Sequence, residues 1–319
     1  GEGIEPQTIF DFVEKTGDLP KTAAPSLEDY LHFFRSFTDK GNTVIHFNIS
    51  SKASGSHGFA VAAQKEIGED KVYVVDSYAL STGQGLLVMK ACDLVKEGKS
   101  AKEIYDAVMS LRDKVNTSFI PDTLLYLFKG GRCSRLSFFG AKVLNIHPYI
   151  DMKDGELYPK KKYIGNMSRC LKNYVKDLVA EYPSYDDTRC FITHSSAEPE
   201  LVESVRKMVE ENFRFKEIIE TVAGSIITSH CGKNTIGVLF ITKKNGAFYM
   251  TVIFNDSDLL SAYSQKRKIF WFYMLVLAVF AALCITCLVV FMNMPYKAPA
   301  QAIPKWIVYV ASVLFVIFS

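Results

Sequence analysis

The amino-acid sequence predicts an α/β protein of two domains, followed by one or two transmembrane helices. Strand and helix signals alternate through about the first 115 residues. Two hairpin signals then frame a mixed α+β region, and the last 51 residues contain almost no charge. We therefore expect an N-terminal α/β domain at 1–124, a C-terminal α+β domain at 125–260 and a membrane segment at 261–319.

The first domain is predicted to contain a parallel sheet covered by helices. Ser26 and Asp29 form a capping-box signal for a helix that Gly41 closes. Strands rich in β-branched and aromatic residues then alternate with helices, which is typical of parallel sheets covered on both faces. The predicted elements are a helix at 27–37, a strand at 43–49, a helix at about 59–67, a strand at 71–76, and helices at about 81–97 and 101–115.

Two loops of small residues occupy the position at which such sheets bind ligands. They span 50–56 and 77–85, and each follows a predicted strand and opens a helix. Ligands of open α/β sheets bind beyond the carboxyl ends of the strands. We therefore expect the functional site at these two loops.

The second domain is marked by hairpins. Asp154-Gly155 and Asn245-Gly246 are two-residue turn signals between runs of strand-forming residues. The predicted elements are strands at 149–152 and 156–163, a helix at 167–181, a strand at 189–194, a helix at 199–212, a strand near 215–221, and strands at 235–242 and 247–254.

The charge distribution divides the chain. The formal net charge is +3, but residues 1–265 carry 32 basic and 34 acidic residues, which leaves them at −2. Residues 1–265 have no basic excess to neutralise phosphates, so a nucleic-acid partner is excluded. The content of 13% aromatic residues argues against a disordered chain. The seven cysteines fit no zinc spacing, and free thiols agree with a reducing compartment.

The tail predicts a membrane anchor. Residues 269–292 form a run of 24 largely apolar residues; as a helix this run is ~36 Å long, enough to span a bilayer. The basic triplet 266–268 precedes it, so the positive-inside rule places residues 1–265 on the cytoplasmic side of the cell membrane. A second apolar segment, 306–319, is too short to span, and we expect the sequence to be truncated at both ends.

Motifs for common catalytic chemistry are absent. The six histidines form no metal-ligand cluster, and no Walker loop or nucleophile elbow occurs. Four loop residues remain that can bind an anion such as a carboxylate or a phosphate: Thr22, Ser54, Arg132 and His230. Hydroxyls, a guanidinium and an imidazole supply hydrogen bonds that suit such a group.

Five loop motifs, in order along the chain, resemble those of the DegV family, which includes the fatty-acid-binding subunits of bacterial fatty-acid kinase. They are similar to the family's PKTSxPS, SSxLSGTY, VDS…GxG, KGGRIS and HxGPG motifs, and they occupy residues 20–26, 50–57, 75–85, 129–134 and 230–234. This chain departs from the family at Ala23, His57, Lys233 and Asn234, and the family's N-terminal strand lies upstream of Gly1.

The resemblance implies a two-domain fold with a lipid tunnel between the domains. By motif position, Thr22 and Ser54 would hydrogen-bond a fatty-acid carboxylate, with His230 beside it and Arg132 close to the head group. The supporting loop residues would be Gly55, Ser56, Gly130, Gly131 and Gly232. The resemblance further implies a bound long-chain fatty acid, no cofactor or metal, and no catalysis in this chain, which would present the carboxylate to a separate kinase that makes acyl phosphate.

Two alternatives remain open. A related fold occurs in dihydroxyacetone-kinase subunits, so His230 could hold a substrate covalently in a phosphotransferase. Alternatively, a bound lipid could regulate a membrane partner through residues 269–319, which would make the protein a lipid-responsive sensor or scaffold.

Overall fold

The computed structural model describes residues 4–131 and 146–243, which fall within one compact unit spanning residues 1–248. The described residues form two β-sheets, one of two strands and one of six. The helix α1 (Pro6–Thr16) precedes both sheets. The helix begins at Pro6, because proline has no backbone N–H and the first residues of a helix need none for helical hydrogen bonds. It ends before Gly17, which adopts a left-handed conformation.

The two-stranded sheet is parallel, as predicted. Its strands are β1 (Val44–Asn48) and β2 (Val72–Asp76), in register with Val44 opposite Val72. The helices around it are α2 (Leu27–Thr38), α3 (Ser56–Ile67), α4 (Thr82–Lys96) and α5 (Ala101–Leu111). The predicted capping box forms, because Ser26 accepts a hydrogen bond from the backbone of Asp29, whose carboxylate bonds back to Ser26.

Both faces of this sheet are covered. Val72 packs in one cluster with Phe34 of α2 and Ala60 of α3. Val75, which points to the opposite face, packs with residues of α4 and α5 such as Val108. Successive side chains of a strand alternate between faces, so a run of apolar residues serves two cores at once. The prediction of helices on both faces is confirmed.

The six-stranded sheet carries the second half of the unit. Its strands are β3 (Val115–Ile120), β4 (Ile146–Lys153), β5 (Glu156–Ile164), β6 (Tyr185–Ser195), β7 (Glu217–Val222) and β8 (Thr235–Thr242). Their order is β5-β4-β3-β8-β6-β7, antiparallel except for the β6–β7 pair. The predicted turn between β4 and β5 is confirmed: Asp154 and Gly155 have φ of 51° and 79°, which suits a type I′ hairpin.

Two long helices, α7 (Met167–Glu181) and α8 (Pro199–Asn212), cover one face of this sheet. Two short helices, α6 (Leu125–Lys129) and α9 (Ser225–Cys231), complete the described part of the unit. Tyr174 of α7 is fully buried against Val238 and Phe240 of β8 and Val205 of α8. Its hydroxyl bonds to the side chain and carbonyl of Ser118 and to a backbone N–H of β8, so burial leaves no polar atom of this side chain unsatisfied.

A strand at residues 115–120 was not predicted. The helix predicted at about 101–115 forms as α5 and continues as a 3₁₀ turn at Arg112–Lys114, and β3 then follows as an interior strand of the larger sheet. Its polar residues Asn116, Thr117 and Ser118 conceal this strand in the sequence, yet all three are buried. Asn116 donates to the carbonyl of Val238 at 2.9 Å, a partner that only tertiary packing supplies. The short helices α1, α6 and α9 were also not predicted.

Within residues 4–131 and 146–243, no helix has the length and apolar character needed to cross a membrane. The predicted span at 269–292, the segment at 306–319 and the strand at 247–254 lie outside the described residues. The domain boundaries at 124/125 and 260/261 stay predictions. By hydrogen bonding, however, β3 belongs with the larger sheet although it precedes the first boundary.

Candidate functional site

A cavity of about 450 Å³ lies at the carboxyl ends of β1 and β2. Its wall includes the loop after β1, the loop after β2 and the helix α9, and also part of the loop before α2. This is the position that the strand–loop–helix pattern predicted, because the carboxyl ends of parallel strands open at one edge of the sheet.

Three of the four predicted anion-binding residues line this cavity together. Thr22 comes from the loop before α2, Ser54 from the loop after β1, and His230 from α9. Thr22 Oγ1 and His230 Nε2 lie 3.0 Å apart, within hydrogen-bonding distance, and either atom can donate. The fourth residue, Arg132, lies outside the described residues. Their role in binding a carboxylate stays a prediction.

The loop that carries Ser54 is anchored on two sides. Ser50 Oγ donates to the carbonyl of Gly155 at 2.6 Å, which ties the loop to the β4–β5 turn. Asp76, at the end of β2, accepts a hydrogen bond from the backbone N–H of Ser51 at 3.1 Å. Ser54 Oγ itself accepts from the backbone N–H of Ser56 at 3.2 Å. Among the described residues its hydroxyl proton has no acceptor, so it can bond to an acceptor in the cavity.

Two of the supporting glycines allow close approach to the site. A Cβ at Gly130 would lie 2.7 Å from His230 Nδ1 and 2.8 Å from the carbonyl oxygen of Tyr126. At Gly232, with φ of 79°, a Cβ would lie 2.5 Å from the Tyr126 ring. Both positions therefore require glycine so that α6 and α9 can pack together. Gly131 also has positive φ, whereas a Cβ at Gly55 would meet no atom within 4 Å.

The departure from the family motif after His230 leaves a regular turn. Asn234, which stands where the family has glycine, adopts φ of 58°. Asparagine tolerates this left-handed conformation better than most residues. Its backbone N–H donates to the carbonyl of Ser195 at 3.0 Å, which fixes the start of β8.

The rest of the cavity wall is mainly apolar. Aliphatic side chains come from four different segments, and they belong to Leu80, Leu127, Leu157, Ile226 and Ile227. Among the described residues, no Asp, Glu, Lys or Arg lines the cavity. An apolar space with a few placed donors is the usual form of a small-molecule site, and 450 Å³ falls within the usual size range.

A half-buried polar side chain in the cavity wall was not predicted from the sequence. His46 of β1 packs edge-on against the rings of Tyr30 and Phe34, with centroids 5.4 and 5.1 Å away. Burial, assisted by the nearby His57, lowers the pKa of His46 to about 4, so the ring is neutral at pH 7. Asn48, next along the same face, donates to the hydroxyl of Tyr30 at 3.1 Å. In the sequence, the polar residues His46 and Asn48 inside an otherwise apolar strand were the signal that could have indicated this feature of the cavity wall.

The described residues hold no cluster of three or more potential metal ligands. Hydroxyls and an imidazole at the edge of an apolar space can bind a hydrogen-bond acceptor that carries a long apolar group. Cys231 also lines the cavity, and burial raises the pKa of its thiol to about 12, which makes it an inert part of the wall.

The fold and this site define a class of protein, an α/β protein whose apolar cavity opens among hydrogen-bond donors. The sequence model described as "Uncharacterised protein, DegV family" matches residues 1–243, more than half of the 319 residues. The chain therefore belongs to the DegV family.

Individual relatives agree with this assignment. The "Fatty acid-binding protein" of Thermotoga maritima is 29% identical over 240 residues, which cover 73% of this chain and 82% of that protein. A structure described as fatty acid binding of a DegV family protein from Thermus thermophilus has a TM-score of 0.70 and 28% identity, and covers 76% and 85% of the two chains. The Fatty Acid Kinase (Fak) B3 protein of Streptococcus pneumoniae, loaded with linoleic acid, shares the fold with a TM-score of 0.67 at 22% identity. The match covers 76% of this chain and 85% of that chain.

Proposed function

We propose that this protein binds a long-chain fatty acid, with the acyl chain in the 450 Å³ cavity and the carboxylate at Thr22, Ser54 and His230. The observation that carries the proposal is the convergence of these three side chains, from three separate segments, on one largely apolar space. The DegV-family structure from Thermus thermophilus, described as binding fatty acid, supports it.

The energetics suit an amphiphilic ligand. Burial of a dozen methylene groups at ~0.8 kcal/mol each contributes roughly 10 kcal/mol before the costs of ordering the ligand. A carboxylate taken from water needs several donors to offset its lost hydration. Hydroxyls at Thr22 and Ser54, with the imidazole of His230, supply such donors without burying a second charge.

We propose further that the protein does not catalyse a reaction by itself but presents the carboxylate to a separate kinase for acyl-phosphate formation. The motif resemblance supports this division of labour, and no ATP-binding loop is visible in the sequence. Hydrolysis of ATP by the isolated chain would instead favour the phosphotransferase alternative.

We also propose that residues 269–292 tether the carrier to the cell membrane, with the ligand-binding unit on the cytoplasmic side. The length and apolar character of this run, and the basic triplet before it, support the tether and its orientation. A tethered carrier would meet fatty acids where they leave the bilayer. Protease accessibility in oriented vesicles tests the orientation.

The binding proposal is tested with a fluorescent fatty acid displaced by palmitate, using the full chain in amphipol. We expect the Ser54→Ala/His230→Ala double variant to bind palmitate about tenfold more weakly, because two hydrogen bonds to a charged group are lost. Ser110→Ala is the matched control, since Ser110 is an exposed residue of α5 whose hydroxyl donates to the carbonyl of Ala107 in the same helix. Unchanged palmitate affinity in the double variant would refute the site.

A further inference from the structure

Three polar side chains outside the proposed carboxylate site also line the 450 Å³ cavity. They are Tyr30 of α2 and His46 and Asn48 of β1. His46 and Asn48 are two positions apart in the strand, so their side chains lie on the same face of the sheet. The ring of Tyr30 packs against His46 with centroids 5.4 Å apart, and its hydroxyl accepts a hydrogen bond from Asn48 Nδ2 at 3.1 Å. The three side chains therefore form one contiguous polar group in the cavity wall.

This polar group has hydrogen-bonding capacity that the described residues leave unused. Asn48 is 4% exposed, and its Oδ1 has no partner within residues 4–131 and 146–243. His46 Nε2 has no partner in the same part of the chain. Rotation of the Asn48 amide about its broad terminal torsion exchanges Oδ1 and Nδ2, but the Tyr30 hydroxyl can then satisfy only the other atom. Buried polar atoms without partners are costly and uncommon, so the group indicates a ligand that completes its hydrogen bonds.

The chemistry of the cavity wall restricts the ligand group that can do this. None of the lining residues that the structure describes is Asp, Glu, Lys or Arg, so a second charged group on the ligand would find no counter-charge. A hydroxyl group is uncharged, and it both donates and accepts a hydrogen bond. It can therefore donate to Asn48 Oδ1 or bond to His46 Nε2, whereas an unsubstituted acyl chain leaves both atoms unpartnered.

We propose that Tyr30, His46 and Asn48 form a hydroxyl subsite, and that the preferred ligands are fatty acids that carry a hydroxyl group on the acyl chain. The carboxylate of such a ligand binds at the site proposed above, and its chain hydroxyl becomes the missing partner of Asn48. The hydroxyl subsite rests on the proposed fatty-acid function, because the same cavity holds the acyl chain.

Burial makes the hydroxyl subsite selective for the position of the hydroxyl along the chain. A hydroxyl that enters an apolar cavity loses its hydrogen bonds to water, so it weakens binding wherever the wall offers no partner. Where the wall offers a buried partner, the hydroxylated ligand is favoured, because an unsubstituted chain leaves that partner unsatisfied. The position of the hydroxyl therefore decides whether binding is strengthened or weakened.

The test compares stearate with hydroxystearates that carry the hydroxyl at each even-numbered carbon from 4 to 18. Affinity is measured by displacement of the fluorescent fatty acid from the full chain in amphipol. We expect one position, or two adjacent ones, to bind about five- to tenfold more tightly than stearate, and the others to bind more weakly. The ketostearate with its oxygen at the favoured position should bind less tightly than the hydroxystearate, because a keto oxygen cannot donate to Asn48 Oδ1.

Two variants assign the preference to the hydroxyl subsite. Asn48→Leu removes the amide at similar volume and should abolish the preference for the favoured hydroxystearate, while stearate affinity changes less than about threefold. Tyr30→Phe removes only the hydroxyl that holds the amide and should reduce the preference about twofold or more. Asn212→Leu is the matched control, since Asn212 is exposed on α8 and lies outside the cavity wall.

Three outcomes would overturn the hydroxyl subsite: every hydroxystearate binds more weakly than stearate, the preference survives Asn48→Leu, or the ketostearate binds as tightly as the hydroxystearate. Comparison of two ligands within one variant cancels any loss of folded protein. If Asn48→Leu does not fold, an unchanged preference in Tyr30→Phe counts against the subsite. An unmodified protein that binds neither stearate nor any hydroxystearate contradicts the proposed fatty-acid function instead, so the two failures are distinguishable.

Discussion

His46 makes the stability of this protein depend on pH in a defined window. Its folded-state pKa is about 4, lowered from 6.5 mainly by burial and further by His57. Between these two pH values the unfolded chain binds a proton that the folded chain does not. The free energy of unfolding therefore falls as the pH falls from 6.5 towards 4, and the contribution of His46 is absent above 6.5.

The size of this effect follows from the gap between the two pKa values. Each pKa unit corresponds to about 1.4 kcal/mol, so at pH 5 the unfolded state gains about 2 kcal/mol from protonation of this one residue. Replacement of His46 by leucine, which has a similar volume and no titratable group, should remove this part of the pH dependence. Groups distant from His46 titrate alike in both proteins and cancel in the comparison.

The measurement is urea unfolding at pH 7.5 and pH 5.0, followed by circular dichroism, on a version that ends at residue 262 and includes every described residue. Between the two pH values the unmodified protein should lose about 2 kcal/mol more stability than the His46→Leu variant. His32→Leu is the control for the loss of a histidine, because His32 is exposed on α2. If the unmodified protein and His46→Leu lose the same stability, the reasoning is wrong.

Two further predictions concern close packing and buried hydroxyls. Gly130→Ala places a Cβ 2.7 Å from His230 Nδ1 and should weaken palmitate binding at least fivefold in the displacement assay; Gly58→Ala, with no atom within 4 Å, should leave binding unchanged. Tyr174→Phe removes a buried hydroxyl with three hydrogen-bond contacts and should lower the free energy of unfolding by about 2 kcal/mol. Tyr149→Phe removes a buried hydroxyl that has no partner among the described residues, and should cost nothing or stabilise; equal losses in the two tyrosine variants would contradict this account.

Elements with strong local signals were predictable from sequence. The helix predicted at 199–212 coincides with α8, and the helix predicted at 167–181 coincides with α7. The capping box at Ser26 and the type I′ turn at Asp154-Gly155 also formed as predicted. In each of these cases the decisive contacts join residues no more than four positions apart, so the sequence window contains the whole interaction.

Elements that depend on distant partners were not predictable in this way. β3 contains three consecutive polar residues, and its place between β4 and β8 depends on partners such as Val238, more than 100 residues away. The helix α9 is seven residues long and has no side-chain cap at its start, so the sequence around His230 carries no strong helix signal. Tertiary packing stabilises both elements.

The candidate site also combines features that the sequence predicts with features that depend on distant partners. The sequence by itself determined the residue types: hydroxyls at Thr22 and Ser54, an imidazole at His230, and loops that follow β1 and β2. Only the tertiary structure decided that Thr22 and His230, 208 residues apart, lie at 3.0 Å, that Gly130 permits this packing, and that His46 is a neutral part of the cavity wall. The physical reason is that hydrogen-bond capacity belongs to each side chain, whereas distance and burial belong to the packed arrangement of the whole chain.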